Sequence, residues 1–221
     1  YVMERARRGV VGSSRYAHRL RQALLEAAKD AEHRPLLIRG EPGLEKDNLA
    51  ALVHYGSERR RRLLVRLDAG DLQGNGRLLL DDLQDSSLLV SGIDRLELAM
   101  QQRLISMARG ESPKFTGRVL FTSETHLSCL DGIAQLIRVP PLRVRGEELG
   151  NWIRYMVRLQ SSGFGWEQPP AVPGAVVRRL QNHDFANNLR ELETLVDRAL
   201  RQARQQSSAA GLPTMLPEEV F

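Results

Sequence analysis

The chain is poor in the residues that staple small secreted or metal-bound proteins together. Cys129 is its single cysteine, which excludes an intrachain disulfide and a cysteine-based metal site and fits a reducing, cytoplasmic setting. The five histidines, His18, His33, His54, His126 and His183, are scattered without the spacing of metal ligands. No apolar run approaches the length of a membrane span, and the opening Y-V-M-E-R-A-R-R lacks the apolar core of a secretory leader. Lysine is almost missing too, at positions 29, 46 and 114 only, so the formal net charge of +5 is carried by arginine. Arginine grips phosphates through its planar fork, but such a bias also follows from genome composition, and a charge of this size does not establish nucleic-acid binding. The chain starts without an initiator methionine and stops in a polar, proline-bearing stretch, as expected of a fragment of something longer.

What is present is enough for a folded core: 221 residues, 42% of them hydrophobic, suit one sizeable domain or a domain with a small companion. Gly40 to Leu49 read G-E-P-G-L-E-K-D-N-L. A phosphate-binding loop has the form G-x-x-x-x-G-K-[ST], because backbone N–H groups wrap the phosphates while the lysine reaches the outermost ones. Gly40, Gly43 and Lys46 keep the spacing, but Glu45 stands where a glycine is required. Its carboxylate is expected to point negative charge at a polyphosphate, and its Cβ to crowd a path that glycine follows freely.

Around this loop the pattern alternates. Tyr16 to Ala31 predicts an amphipathic helix with a serine at its start, and Pro35 to Arg39 a short strand leading into the loop. Asn48 to Tyr55 predicts a helix, Leu63 to Leu67 and Leu88 to Val90 two strands, Ile93 to Ala108 a helix, and Arg118 to Thr122 and Leu136 to Val139 two more strands. Short apolar strands alternating with helices imply a parallel sheet covered on both faces. After Pro140 and Pro141 the strands stop, and Glu147 to Gln160, Pro173 to Asn182 and Leu189 to Gln206 read as three helices; residues 207–221 read as a linker. Trp152 and Trp166 fall among these helices, where core packing is the default. Arg59 to Arg62 reads as a solvated loop leading into a strand.

Five ordered stretches resemble the AAA+ domains of sigma-54-dependent transcriptional activators, the bacterial enhancer-binding proteins. G-S-S-R-Y-A-H-R-L from Gly12 is similar to the family's first helix, and Gly40 to Ala50 to its G-E-S-G-T-G-K-E-x-x-A. Gln101 to Ile105, Q-Q-R-L-I, resembles Q-x-K-L-L. Val139 to Leu149, V-P-P-L-R-V-R-G-E-E-L, resembles L-P-P-L-R-E-R-x-E-D-I, and Ala186 to Leu192, A-N-N-L-R-E-L, resembles P-G-N-V-R-E-L. The last two are specific enough to make chance a poor explanation. The resemblance implies a three-layer α/β/α P-loop domain with a parallel five-stranded sheet over residues 1–143, followed by a small all-α lid over 144–206. It further implies a ring-forming ATPase with nucleotide between domain and lid, and sigma-54 RNA polymerase as partner.

Departures from the family pattern are expected to remove the chemistry. The aspartate and glutamate that end the family's third strand, holding magnesium and polarising water, are here Ser91 and Gly92. Asp94 is too isolated to replace both. The water-orienting asparagine after the fourth strand becomes Glu124, and no arginine precedes the fifth strand in S-C-L-D-G-I-A-Q-L-I from Ser128. The G-A-F-T-G-A insertion that touches sigma-54 has no counterpart between Asp68 and Leu88, and the hairpin before the fourth strand is cut down to Gly110 to Gly117. The candidate nucleotide contacts are therefore Gly40, Gly43, Glu45, Lys46, Asp47 and Arg190, with ATP a weak ligand at best and magnesium entering only with ATP. The expected function is a catalytically degenerate module for binding, assembly or regulation within a larger protein. Its partners would be other domains of that polypeptide, a separate protein or a second copy, and DNA only through a domain outside this chain. The alternative is an active ATPase domain of a transcriptional regulator.

Overall fold

Strand burial explains the order of the sheet. In the computed structural model, which describes residues 2–72, 80–166, 168–207 and 216–220, β1 (Leu36–Arg39), β2 (Leu64–Asp68), β3 (Ser87–Ser91), β4 (Val119–Ser123) and β5 (Gln135–Arg138) form one parallel sheet in the order β2-β3-β4-β1-β5. Every residue of β3 and β4 is buried, as are the first three of β1, whereas β2 mixes buried with half-exposed positions and β5 buries only Ile137. Continuous apolar runs are stable only between two neighbours and under helices on both faces; mixed runs fit the edges. The expected α/β architecture with a parallel five-stranded sheet is what the chain forms.

The outer edge of β2 is covered by the start of the chain, where Val2 bridges Val65 antiparallel and Met3 N–H donates to Leu64 O at 2.8 Å. α1 (Arg15–Ala28) begins where expected, with Ser14 Oγ accepting from Ala17 N–H at 3.0 Å. It buries Leu20, Leu24, Ala27 and Ala28, while Leu25, expected on the same face, is exposed. α2 (Lys46–Gly56) follows the glycine-bearing loop, and a single turn, α3 (Ala69–Leu72), follows β2. The helix expected from Ile93 to Ala108 is two pieces, a 3₁₀ turn Ile93–Arg95 and α4 (Leu98–Ala108), because Leu96 and Glu97 are extended. Gln101 Nε2 donates to Ile93 O at 3.1 Å and Leu96 O at 3.0 Å, satisfying carbonyls that the break would leave bare. Residues 73–79, part of the interval where the contact insertion was sought, lie outside the described ones, as do 208–215 of the expected linker.

Arg118 ties α1 to the sheet. Buried at the base of β4, its guanidinium donates to Arg34 O and Ala27 O, both at 2.9 Å. Arg118→Met removes the donor for one buried and one partly buried carbonyl and is expected to lower the unfolding free energy by about 1–3 kcal/mol in a urea titration; no measurable loss would show that water replaces the guanidinium. The Arg59–Arg62 run is partly neutralised within the fold, since Arg59 Nη2 lies 2.5 Å and Arg62 Nε 2.9 Å from the Asp85 carboxylate.

Contacts divide the chain into two units: Tyr1–Val10, Arg19–Gly40 and Glu45–Val139 in one, and Val11–His18, Glu41–Leu44 and Pro140–Phe221 in the other. By these contacts the helical unit takes in two short upstream pieces and the chain from Pro140 on. That unit contains α5 (Gly146–Ser161), α6 (Gly174–Leu180) and α7 (Asn188–Ser207). Their apolar faces meet around Trp152, Ile153, Phe185, Leu192, Val196 and Leu200. Leu216, in the segment expected to be a linker, is buried in the same core and its N–H donates to Ala171 O at 3.0 Å.

Beneath these helices lies a buried ion pair. Arg145 Nε donates to Glu148 Oε2 at 3.0 Å, Ser14 Oγ donates to the other carboxylate oxygen, and the guanidinium sits 4.5 Å above the Tyr16 ring. Burial pushes the Tyr16 phenol up to about 12, with Arg145 pulling it down and Glu148 pushing it up. Below pH 10 the phenol is neutral in folded and unfolded chains alike. Between 10 and about 12 only the unfolded chain loses the proton, so stability falls by roughly 2–3 kcal/mol as pH rises through that window. Tyr16→Phe is expected to flatten that part of the pH–stability curve, and an unchanged slope would contradict the assignment.

Candidate functional site

The carboxyl ends of β1, β3 and β4 are where a parallel sheet whose strand order reverses presents its loops, and Gly40, Lys46, Asp47, Ser91, Gly92 and Glu124 lie there. Lys46, at the start of α2, donates from Nζ to Gly40 O at 2.7 Å, and Gly40 N–H donates to Ser123 O at 3.1 Å. Burial pushes the Lys46 ammonium down, while Glu124, Asp47 and Asp94 oppose that shift.

Glu45 does not behave as its position suggested. Its backbone has φ 54° and ψ 39°, the left-handed conformation that glycine supplies in such loops, at a cost of roughly 1–2 kcal/mol for a residue with a Cβ. Its carboxylate is held in a two-pronged pair by Arg8, through Nε at 2.7 Å and Nη2. The expectation that it aims charge at a phosphate is therefore corrected: the negative charge is neutralised by an arginine 37 residues earlier. Arg8 is positioned by Asn48, whose Oδ1 accepts from Arg7 N–H at 2.7 Å and whose Nδ2 donates to Arg8 O at 2.9 Å.

Asp47 stands one residue after the lysine, where the loop pattern wants a hydroxyl. Ser91 stands at the end of β3, where a carboxylate was sought. The two types have changed places, and they touch: Ser91 Oγ lies 2.9 Å from each Asp47 carboxylate oxygen. Thr122 Oγ1 donates to Asp47 Oδ1 at 3.3 Å, and Arg66 Nε donates to Oδ2 at 2.6 Å, with Arg66 Nη2 3.5 Å from Ser91 Oγ. Arg66 and Thr122 escaped the sequence reading; the one available signal was an arginine inside the otherwise apolar run L-L-V-R-L of β2.

Gly92 keeps φ 71° and its N–H donates to Thr122 Oγ1 at 3.1 Å; a Cβ there would lie 2.3 Å from the Arg95 guanidinium. Asp94 Oδ2 accepts from the N–H groups of Glu124 and Thr125, both at 3.0 Å, and from Thr125 Oγ1 at 3.2 Å. It shapes the loop after β4, and its Oδ1 is buried without a hydrogen-bond partner among the described residues. Glu124 is exposed and serves Lys46 as a countercharge. No group of three or more potential metal ligands occurs among the described residues.

No family model matches the chain. Over 208 residues it is 26% identical to the transcriptional regulatory protein FlbD of Caulobacter vibrioides, covering 75% of this chain and 45% of FlbD. NtrX of Brucella abortus in complex with ATP superposes with a TM-score of 0.75 at 18% identity, over 98% of this chain and 58% of that one. In sequence the chain is similar to these bacterial transcriptional regulators, and its fold is that of the NtrX AAA+ domain. RuvB of Thermotoga maritima, a Holliday junction branch migration motor, shares the fold with a TM-score of 0.68 at 15% identity, over 95% of this chain and 67% of RuvB. The chain spans less than half the length of FlbD, the first of these relatives.

The resembling stretches at Pro140 to Leu149 and Ala186 to Leu192 belong to the helical unit, together with residues 41–44. Arg143 makes a two-pronged pair with Glu41, at 2.7 and 2.6 Å, and holds that carboxyl below its ordinary range. Asn188, fully buried with φ 46°, accepts from Leu142 N–H at 2.8 Å and donates to Pro42 O at 2.9 Å. Gly43, at φ 76°, lies against Asn187 so closely that a Cβ would come 1.9 Å from the Asn187 carbonyl oxygen. Arg190 is exposed in the first turn of α7.

Proposed function

We propose that this AAA+ domain serves as a binding, assembly or regulatory module of a larger transcriptional regulator and does not hydrolyse ATP. Its affinity for nucleotide is low or lost. The observation that carries this reading is the state of the carboxyl end of β3. Hydrolysis needs a carboxylate free to polarise water and a second to hold the metal's hydration shell. Ser91 offers a hydroxyl already hydrogen-bonded to Asp47, Gly92 offers no side chain, and Asp94 is a single carboxylate where two are needed, its Oδ2 held by the loop after β4. Glu124 adds negative charge where phosphoryl transfer develops it. Meanwhile the groups that hold the fold, the apolar strands and the Arg118 and Arg145 networks, remain. A scaffold can persist after its chemistry is gone, because the two reside in different residues.

A live ATPase is the rival, and one observation favours it: Lys46 keeps its place and both left-handed positions of the loop are formed. Steady-state phosphate release from ATP and magnesium separates the two. We expect no release above background, and light scattering that shows no nucleotide-dependent ring. Release that disappears in Lys46→Ala would overturn the proposal.

A further inference from the structure

We infer that this loop binds the polyphosphate tail of a nucleotide free of magnesium, the Arg66 guanidinium holding the place of the cation. The inference rests on the reading above that the chain does no hydrolysis, and it concerns what the site still takes: the polyphosphate tail of a nucleotide free of metal. Magnesium requires near-octahedral oxygen ligands at about 2.0–2.1 Å and gives up its waters reluctantly. The donor set here does not fit it. Asp47 is the carboxylate next to the lysine, and both of its oxygens already accept hydrogen bonds, from Arg66 Nε at 2.6 Å, from Ser91 Oγ at 2.9 Å and from Thr122 Oγ1 at 3.3 Å. Thr122 Oγ1 also accepts from Gly92 N–H at 3.1 Å, and Arg66 Nη2 lies 3.5 Å from Ser91 Oγ, so N–H donors and a fixed positive charge face the hydroxyl oxygens that a cation would need. Placing a divalent ion on Asp47 would set it against the positive charge of Arg66 on the same oxygen and would require the pair to break.

The same geometry supplies what the metal would have supplied. A guanidinium is always charged and suits phosphate oxygens with its planar fork. Arg66 comes from β2, reaches α2 and the end of β3, and about a third of its side chain is open to solvent. With Lys46 close by, two cationic side chains flank the start of α2. The exchange of hydroxyl and carboxylate between positions 47 and 91 is then explained: the carboxylate has moved to the position from which it orients the arginine.

Titration calorimetry of ADP and of ATP into the chain, in magnesium and in EDTA, tests this. Dissociation constants agreeing within about twofold in the two buffers support the inference, and binding tighter in magnesium by about tenfold or more overturns it. Absence of binding in both buffers also overturns it, while leaving the proposal of no hydrolysis standing. Turnover that requires Lys46 would instead defeat that proposal. Arg66→Gln is expected to weaken binding in EDTA by about tenfold and to make it respond to magnesium. Should that variant fold poorly, the wild-type chain answers alone: with manganese as probe and ADP present, electron paramagnetic resonance is expected to show no protein-bound manganese, and a stoichiometric bound signal would refute the inference.

Discussion

Glu148→Ala is expected to lower the unfolding free energy of the helical unit by about 3–5 kcal/mol, because it leaves a guanidinium buried without its partner. Arg145 and Glu148 are both buried, and the carboxylate is the only anion hydrogen-bonded to Arg145 among the described residues. The Tyr16 ring beneath the guanidinium offers a weaker attraction and no acceptor. Both tryptophans of the chain, Trp152 and Trp166, lie in the helical unit, so urea unfolding followed by tryptophan fluorescence reads this loss directly. The double variant Arg145→Met with Glu148→Leu should recover most of it, since replacing a buried pair by apolar groups of similar volume is often neutral. A single-variant loss below about 1 kcal/mol would mean that water enters and the pair is not buried in solution.

The second large effect is expected at Gly43. An alanine there combines a left-handed backbone with a Cβ placed 1.9 Å from Asn187 O and 2.8 Å from Asn187 Oδ1. Neither the carbonyl nor the start of α7 has room to retreat while Asn188 stays bonded to Pro42 and Leu142. A destabilisation of about 3 kcal/mol or more should appear in urea titration of Gly43→Ala, the backbone strain contributing roughly 1–2 of it. Glu45→Gly provides the contrast, because that residue is also left-handed but makes no such contact. Relief of strain there is offset by the loss of the Arg8 pair, and a change within about 1 kcal/mol is expected. Equal losses at the two positions would show that left-handed backbone alone, and not the Asn187 contact, sets the cost.

The fold was legible because its signals are local. The apolar runs of β1, β3 and β4 announce strands buried on both faces, and the change after Pro140 announces the helical unit. Where the reading slipped, periodicity continued across a backbone break: Leu96 sits on the apolar face expected of one long helix and is buried, yet its backbone is extended. The site was legible only as a set of positions. Ser91, Gly92, Glu45 and Lys46 are visible in the chain, but what neutralises or engages them lies far away in sequence. Arg8 reaches Glu45 across 37 residues, Ser91 reaches Asp47 across 44 and Thr122 across 75. No spacing rule reports such partners, so neither the Arg8 pair at position 45 nor the exchange between 47 and 91 is visible in the sequence. The docking of Leu216 gives no local signal either, since the composition of a linker-like tail does not report which residues reach the core.

We propose a scaffold that survives without the groups that break the terminal phosphate bond. Single-turnover quench with the protein in excess over labelled ATP and magnesium tests it most directly, because it registers one cleavage per site even when product never leaves. The account predicts ATP recovered intact at the rate seen without protein, with the same result for Lys46→Ala. An accumulation of ADP by the wild-type chain that Lys46→Ala abolishes would contradict it.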